Sequence, residues 1–97
     1  MAIVHDVFTV GTSPTLICQI PKKCPPTAVL IFNDDNNPIY IGDINIATSG
    51  TDLGLKVPKS TATTQVWLNA GDKLYAISAA GTAANSVSVL WSRVIAD

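Results

Sequence analysis

The chain has 97 residues, which is room for one domain with a modest core but not for that core together with a deep catalytic cleft. Charged residues make up 13% of the chain, where a soluble domain usually carries about 25%. The net charge of −1 excludes the basic surface that nucleic-acid binding requires.

The low charge content predicts that other protein covers part of the surface. The hydrophobic share, 47%, is ordinary, so the surface of a monomer would be short of charged side chains. An obligate assembly explains this composition best. The alternative is a monomer whose surface is coated with Thr, Ser and Asn side chains.

The residue types favour strands over helices. Val, Ile and Thr together supply 29 residues, and their β-branched side chains fit the pleated surface of a sheet. Glu is absent, so charged helix formers are scarce.

The first half of the chain predicts four strands, at residues 3–10, 15–20, 27–33 and 38–42. The run 27–33 is apolar almost throughout and is typical of a central strand buried on both faces. The Asp and Asn residues at 34–37 form a strong turn signal, so the third and fourth strands are predicted to pair as a β-hairpin.

In the second half of the chain, turn residues again separate short apolar segments. Short strands are predicted within residues 52–58, 63–68, 73–78 and 86–95. The turn residues at 69–72 predict a second hairpin. Seven or eight short strands at this spacing predict an all-β fold, a small antiparallel β-sandwich or barrel that forms a single domain over residues 1–97.

The chain contains no set of residues from which a catalytic site could be predicted. The single histidine, His5, would have to act as the base of a nucleophilic triad, but Asp6 beside it lies on the opposite face of the strand. The seven acids are all Asp, and most lie in turns. We therefore expect no enzymatic activity, no cofactor and no small-molecule substrate.

Metal binding is not expected either. Cys18 and Cys24 supply only two ligands, too few for a zinc site, and either form a disulfide or, as we favour, remain free buried thiols. Calcium binding at the turn 34–37 is the more specific alternative, but the spacing of the candidate oxygen ligands matches no EF-hand loop. Those ligands would be Asp34, Asp35, Asn37, Asp43 and Asn45.

Other ligands and the membrane are not indicated. No apolar run approaches the ~20 residues of a membrane span, and the first residues do not form a signal peptide, so we expect synthesis in a cytoplasm. Trp67, Trp91 and Tyr75 could form a platform for stacking sugars, but core or subunit contacts are the favoured interpretation.

Four segments taken in order resemble small virion proteins of tailed bacteriophages. They are TVGT at residues 9–12, PIYIG at 38–42, LYAISAAGT at 74–82 and VSVL at 87–90. The resemblance is to head decoration, minor capsid and head-fibre proteins and spans most of the chain. The loop around Cys18 and Cys24 and residues 43–59 have no counterpart in that pattern, and the resemblance carries no binding residues with it.

The resemblance implies a structural protein that decorates the outside of a phage capsid and stabilises it. Its partner would be the major capsid protein, its location the virion surface, and its state a homo-oligomer, with a trimer expected from the threefold positions of icosahedral shells. A carbohydrate- or receptor-binding module of a fibre or tail tip is the alternative. We predict the interface at the N-terminal strand, which is freest to pair with a neighbour, at Ile3, Val4, His5, Val7 and Phe8.

Overall fold

The computed structural model describes residues 2–59 and 63–94 of the chain. Eight strands and a short 3₁₀ turn, Gly50–Asp52, lie within these residues. The strands are β1 (Ala2–Phe8), β2 (Thr15–Gln19), β3 (Thr27–Asn33), β4 (Ile39–Gly42), β5 (Leu55–Val57), β6 (Thr64–Leu68), β7 (Lys73–Ile77) and β8 (Val87–Arg93). Each falls within or close to a predicted strand, although the last prediction ends at Ile95, outside the described residues.

The strands form two four-stranded antiparallel sheets. The first sheet has the order β1-β8-β3-β6, and the second has the order β2-β7-β4-β5. This confirms the predicted small antiparallel sandwich. The alternation of strands between the sheets is the strand order of a jelly roll, an eight-stranded arrangement of two Greek keys.

The predicted hairpin across residues 34–37 is wrong. β3 belongs to the first sheet and β4 to the second, so the loop between them turns a corner of the sandwich. The fully buried side chain of Asn33 fixes this corner, because its Nδ2 donates to the carbonyl oxygens of Asn37 (3.0 Å) and Val57 (3.1 Å). The hydrophobic pattern does not reveal the corner, because a loop of this length can span the roughly 10 Å between packed sheets.

The predicted hairpin across residues 69–72 is wrong for the same reason. β6 lies in the first sheet and β7 in the second. The turn itself forms as the residues predict, with Gly71 at φ +82° and the backbone N–H of Asn69 donating to Oδ2 of Asp72 at 2.7 Å. The backbone of this turn is hydrogen-bonded to Ile20, just after β2. The N–H of Gly71 donates to the carbonyl oxygen of Ile20, and the N–H of Ile20 donates to that of Asp72.

The core lies between the two sheets. Strand β3 is central, as predicted, but only its inward residues are fully buried, whereas Ala28, Leu30 and Phe32 on its outer side are half-buried. The inner faces supply mainly aliphatic side chains, together with the largely buried indole of Trp91. The buried core comprises Val10, Ile17, Cys18, Ile20, Cys24, Val29, Ile31, Ile39, Ile41, Val57, Leu74, Ala76, Val87, Val89 and Trp91.

Candidate interaction surface

The outer face of the first sheet is apolar and partly open to solvent. Ile3 is 71% exposed, Trp67 67% and Leu90 41%. Because side chains alternate along each strand, the residues of β1, β8, β3 and β6 that point away from the core share one surface. Among the described residues, no Asp, Glu, Lys or Arg lies on it. We call this surface the apolar face; it comprises Ile3, His5, Val7, Ala28, Leu30, Phe32, Gln65, Trp67, Ser88, Leu90 and Ser92.

The register of the strands makes the apolar face continuous. Leu90 of β8 lies between His5 of β1 and Leu30 of β3. On the far side of β3, Trp67 of β6 lies opposite Ala28. Side chains opposite one another on neighbouring strands are in contact distance, so the four strands present one surface rather than four separate ridges.

Small side chains among large ones leave two hollows on the apolar face. The first, about 250 Å³, lies over Ser88 and is walled by Leu30, Phe32 and Leu90. The second, about 350 Å³, lies over Ala28 and Ser92. The exposed indole of Trp67 stands at the edge of the same face. The apolar face therefore carries both a projection and depressions large enough to receive a side chain.

The outer face of the second sheet is different. It carries the exposed ammonium groups of Lys56 and Lys73 and the half-buried rings of Tyr40 and Tyr75. Such a surface is well hydrated, because each side chain keeps a polar tip in water. Among the described residues, only the outer face of the first sheet thus lacks Asp, Glu, Lys and Arg.

The structure divides the predicted interface residues between two faces of β1. Ile3, His5 and Val7 are exposed on the apolar face, whereas Val4 and Phe8 point inward and pack against the core. Within residues 2–59 and 63–94, β1 pairs only with β8 and is an edge strand of its sheet, and its role as an interface stays a prediction.

Sequence analysis missed the larger part of the apolar face, which comes from β3, β6 and β8. The signal that could have found it is strand β3, where Leu30 and Phe32 are apolar although they point away from the core. Of the three aromatic residues considered above, Trp91 lies in the core, Tyr75 is half-buried on the second sheet and Trp67 is exposed.

In the loop at residues 34–37, the carboxylate of Asp35 accepts hydrogen bonds from the backbone of the protein. The Asp35 carboxylate accepts the backbone N–H of Ala83 at 3.0 Å and that of Asn37 at 2.8 Å. These two bonds, with a smaller contribution from Lys59, lower the pKa of Asp35 below its usual value. The Asp35 side chain therefore ties this loop to the β7–β8 loop.

The two cysteines are free thiols, and both are buried. Burial raises the pKa of Cys18 to about 11, and the negative charge of Asp6 contributes in the same direction. A thiol with so high a pKa is a poor nucleophile near neutral pH, because the thiolate is the reactive form.

His5 and Asp6 point to opposite sides of β1, as the alternation of a strand requires. Across residues 2–59 and 63–94, no three His, Cys, Asp or Glu side chains are grouped closely enough to hold a metal ion. In the same ranges no helix has the length and apolar character needed to cross a membrane. Comparisons with protein-family models, with curated proteins and with solved structures gave no match.

Proposed function

We propose that the chain is a non-enzymatic structural protein that works by packing against other protein, as a decoration protein on the outside of a bacteriophage head. The observation that carries this proposal is the apolar face, an exposed sheet surface without Asp, Glu, Lys or Arg among the described residues. Such a surface favours association, since burying apolar area releases about 25 cal/mol per Å².

The apolar face, with a footprint of roughly 400 Å², has the size at which exposed apolar patches often mark interaction surfaces. Monomeric proteins rarely expose continuous apolar patches of more than a few hundred Å², and larger ones mark interaction surfaces. The low overall charge points the same way, because a chain with 13% charged residues has few groups with which to solubilise that face.

The phage particle enters the proposal through the resemblance of residues 9–12, 38–42, 74–82 and 87–90 to virion proteins. The jelly-roll strand order is compatible with it, since this architecture occurs in viral capsid proteins and also in lectins. A protein that bridges neighbouring capsid subunits adds binding free energy to the assembled shell but not to free subunits, and repeated copies add avidity. The partner we propose is the major capsid protein.

The test compares virions made with and without the gene for this chain. We expect the chain in purified full heads and a lower temperature of head disruption when the gene is deleted, restored by adding the purified protein. Absence of the chain from heads, or heads of unchanged thermal stability, would contradict the decoration role.

A carbohydrate- or receptor-binding module of a fibre or tail tip is the second candidate. The observation that favours it is the 67% exposure of Trp67, because an exposed indole can stack on a sugar ring. Recovery of the chain on tails rather than heads, with binding to host glycans that Trp67→Ala abolishes, would support this candidate over the first.

A further inference from the structure

We infer that the apolar face is covered by the apolar face of a second copy of this chain, in a two-fold symmetric dimer in which Trp67 of each copy enters the hollow over Ser88 of the other. The inference rests on the proposed function only in taking the apolar face to be covered by protein. It assigns this face to a contact between copies, so that the dimer would meet the major capsid protein through other surfaces.

The positions of the projection and the hollow fit a two-fold axis. Trp67 lies opposite Ala28 on one side of β3, and Ser88 lies opposite Phe32 on the other side. Leu30 lies midway between Ala28 and Phe32 on the same face of β3. A two-fold axis that lies in the plane of the face, passes through Leu30 and is perpendicular to the line from Trp67 to Ser88 therefore exchanges the position of Trp67 with that of the hollow over Ser88. In such an isologous contact both copies use the same patch, so both indoles are accommodated at once.

The hollow suits an indole in size and chemistry. Its volume is about 250 Å³, and its walls include Leu30, Phe32 and Leu90. A large aromatic side chain that fills an apolar pocket on the partner is a common form of binding hot spot. The second hollow, over Ala28 and Ser92, is lined by Ile3 of the same copy.

The absence of charge favours a second copy over a charged partner. A partner that brings Asp, Glu, Lys or Arg onto the apolar face would lose the hydration of those groups and gain no opposite charge from the described residues. A second copy brings the same uncharged surface, so dimerisation avoids that desolvation cost.

The area of the apolar face is that of a small and weak interface. Four strands about 4.8 Å apart, with a rise of about 3.3 Å per residue, give the face a footprint of roughly 400 Å². The relief of Ile3, Trp67 and Leu90 enlarges the accessible area beyond this footprint. Two such faces have a combined footprint of roughly 800 Å², below the value of about 1,200 Å² at which standard specific interfaces begin. We therefore expect a weak dimer, with a dissociation constant on the order of micromolar or above.

The experiment is sedimentation velocity of the full chain over a wide concentration range, up to about 1 mM, to bracket the expected dissociation constant. We expect a monomer–dimer equilibrium that Trp67→Ala weakens at least tenfold. Ser88→Phe fills the hollow from below and is expected to weaken it by a similar factor. Leu55→Ala is the matched control, because it removes a 59% exposed apolar side chain from the second sheet and should leave the equilibrium unchanged.

Fluorescence gives an independent readout. The chain has two tryptophans, and Trp91 is already buried in the monomer, so a blue shift of emission with rising concentration reports on Trp67. The shift should be absent in Trp67→Phe. Near-ultraviolet circular dichroism of each variant at low concentration establishes that the monomer is folded.

Three results would overturn the inference. They are a chain that stays monomeric at every concentration, an assembly with an odd number of copies such as the trimer expected from the resemblance, and a dimer indifferent to both Trp67→Ala and Ser88→Phe. A monomer that binds phage heads and loses that binding on Trp67→Ala would assign the apolar face to the shell. That result would refute the dimer and support the proposed function. Failure of the dimer inference can therefore be distinguished from failure of the proposed function.

Discussion

The two outer faces of the sandwich are built from the same kind of strand, yet they differ in chemistry. The outer face of β1-β8-β3-β6 carries Leu30, Leu90 and exposed Trp67, whereas that of β2-β7-β4-β5 carries Lys56 and Lys73. A sandwich needs one hydrophobic face on each sheet, the face that meets the core. The fold does not require the second apolar surface of the first sheet, and we propose that a contact outside the monomer accounts for it.

The largest expected effect is a difference in the free energy of unfolding between substitutions on the two sides of strand β3. Ile31 is fully buried, and Ile31→Ala should lower the free energy of unfolding by about 2–5 kcal/mol, since it removes apolar contacts and leaves a cavity. Leu30→Ala, one residue away on the apolar face, should lower it by less than about 1.5 kcal/mol, because this side chain is only partly covered. Urea denaturation at protein concentrations that favour the monomer measures both values. Equal losses would mean that the apolar face is already covered within the monomer.

The next largest expected effect comes from a charge placed on the apolar face. Leu90→Lys puts an ammonium group at the centre of the apolar face, where association would bury it without a partner. We expect self-association to weaken about 100-fold, which corresponds to about 2.7 kcal/mol. Tyr40→Lys adds the same charge to the outer face of the second sheet and serves as the control. Sedimentation equilibrium should find it unchanged, and equal weakening by both variants would remove the distinction between the faces.

The effect of salt should be smaller and should have a definite sign. Contact through the apolar face involves no ion pair among the described residues, so sodium chloride should not weaken self-association. Sulfate, which is excluded from apolar surface, should strengthen it several-fold. A titration of each salt at fixed protein concentration, followed by Trp67 fluorescence, measures both effects. Dissociation by moderate sodium chloride would show that charged residues, and hence another surface, hold the copies together.

Sequence analysis could place the strands because the signals for them are local. Apolar and polar residues alternate within each segment, and the turns at 34–37 and 69–72 contain residues that favour turn geometry. The pairing of strands is not local. β1 pairs with β8 at the far end of the chain, with Val4 opposite Trp91, and no pattern within either segment specifies that partner. Both predicted hairpins failed for this reason.

The candidate surface was predictable only in part, for a related reason. The alternation within β1 is enough to put Ile3, His5 and Val7 on one side. That Trp67 lies on the same face follows only once β3 and β8 are known to stand between β6 and β1. Val4 and Phe8 were included because the whole strand was proposed for pairing, although their side chains point toward the core.

The smallest expected effect concerns the two loops that Asp35 joins, whose response to pH should differ from that of the apolar face. The N–H groups of Ala83 and Asn37 hold the pKa of Asp35 below its usual value in the folded chain. Ionised Asp35 therefore stabilises the fold at pH values above the unfolded pKa of about 3.9, and this stabilisation is lost as the pH falls through the lower folded pKa. Asp35→Asn should lower the melting temperature slightly at pH 7, and the difference from the original chain should shrink below about pH 4. Asp34→Asn, which removes the same charge but leaves the two bonds of Asp35 in place, should show the smaller difference. A difference that stays constant from pH 7 to strong acid would mean that the carboxylate charge does not hold the two loops together.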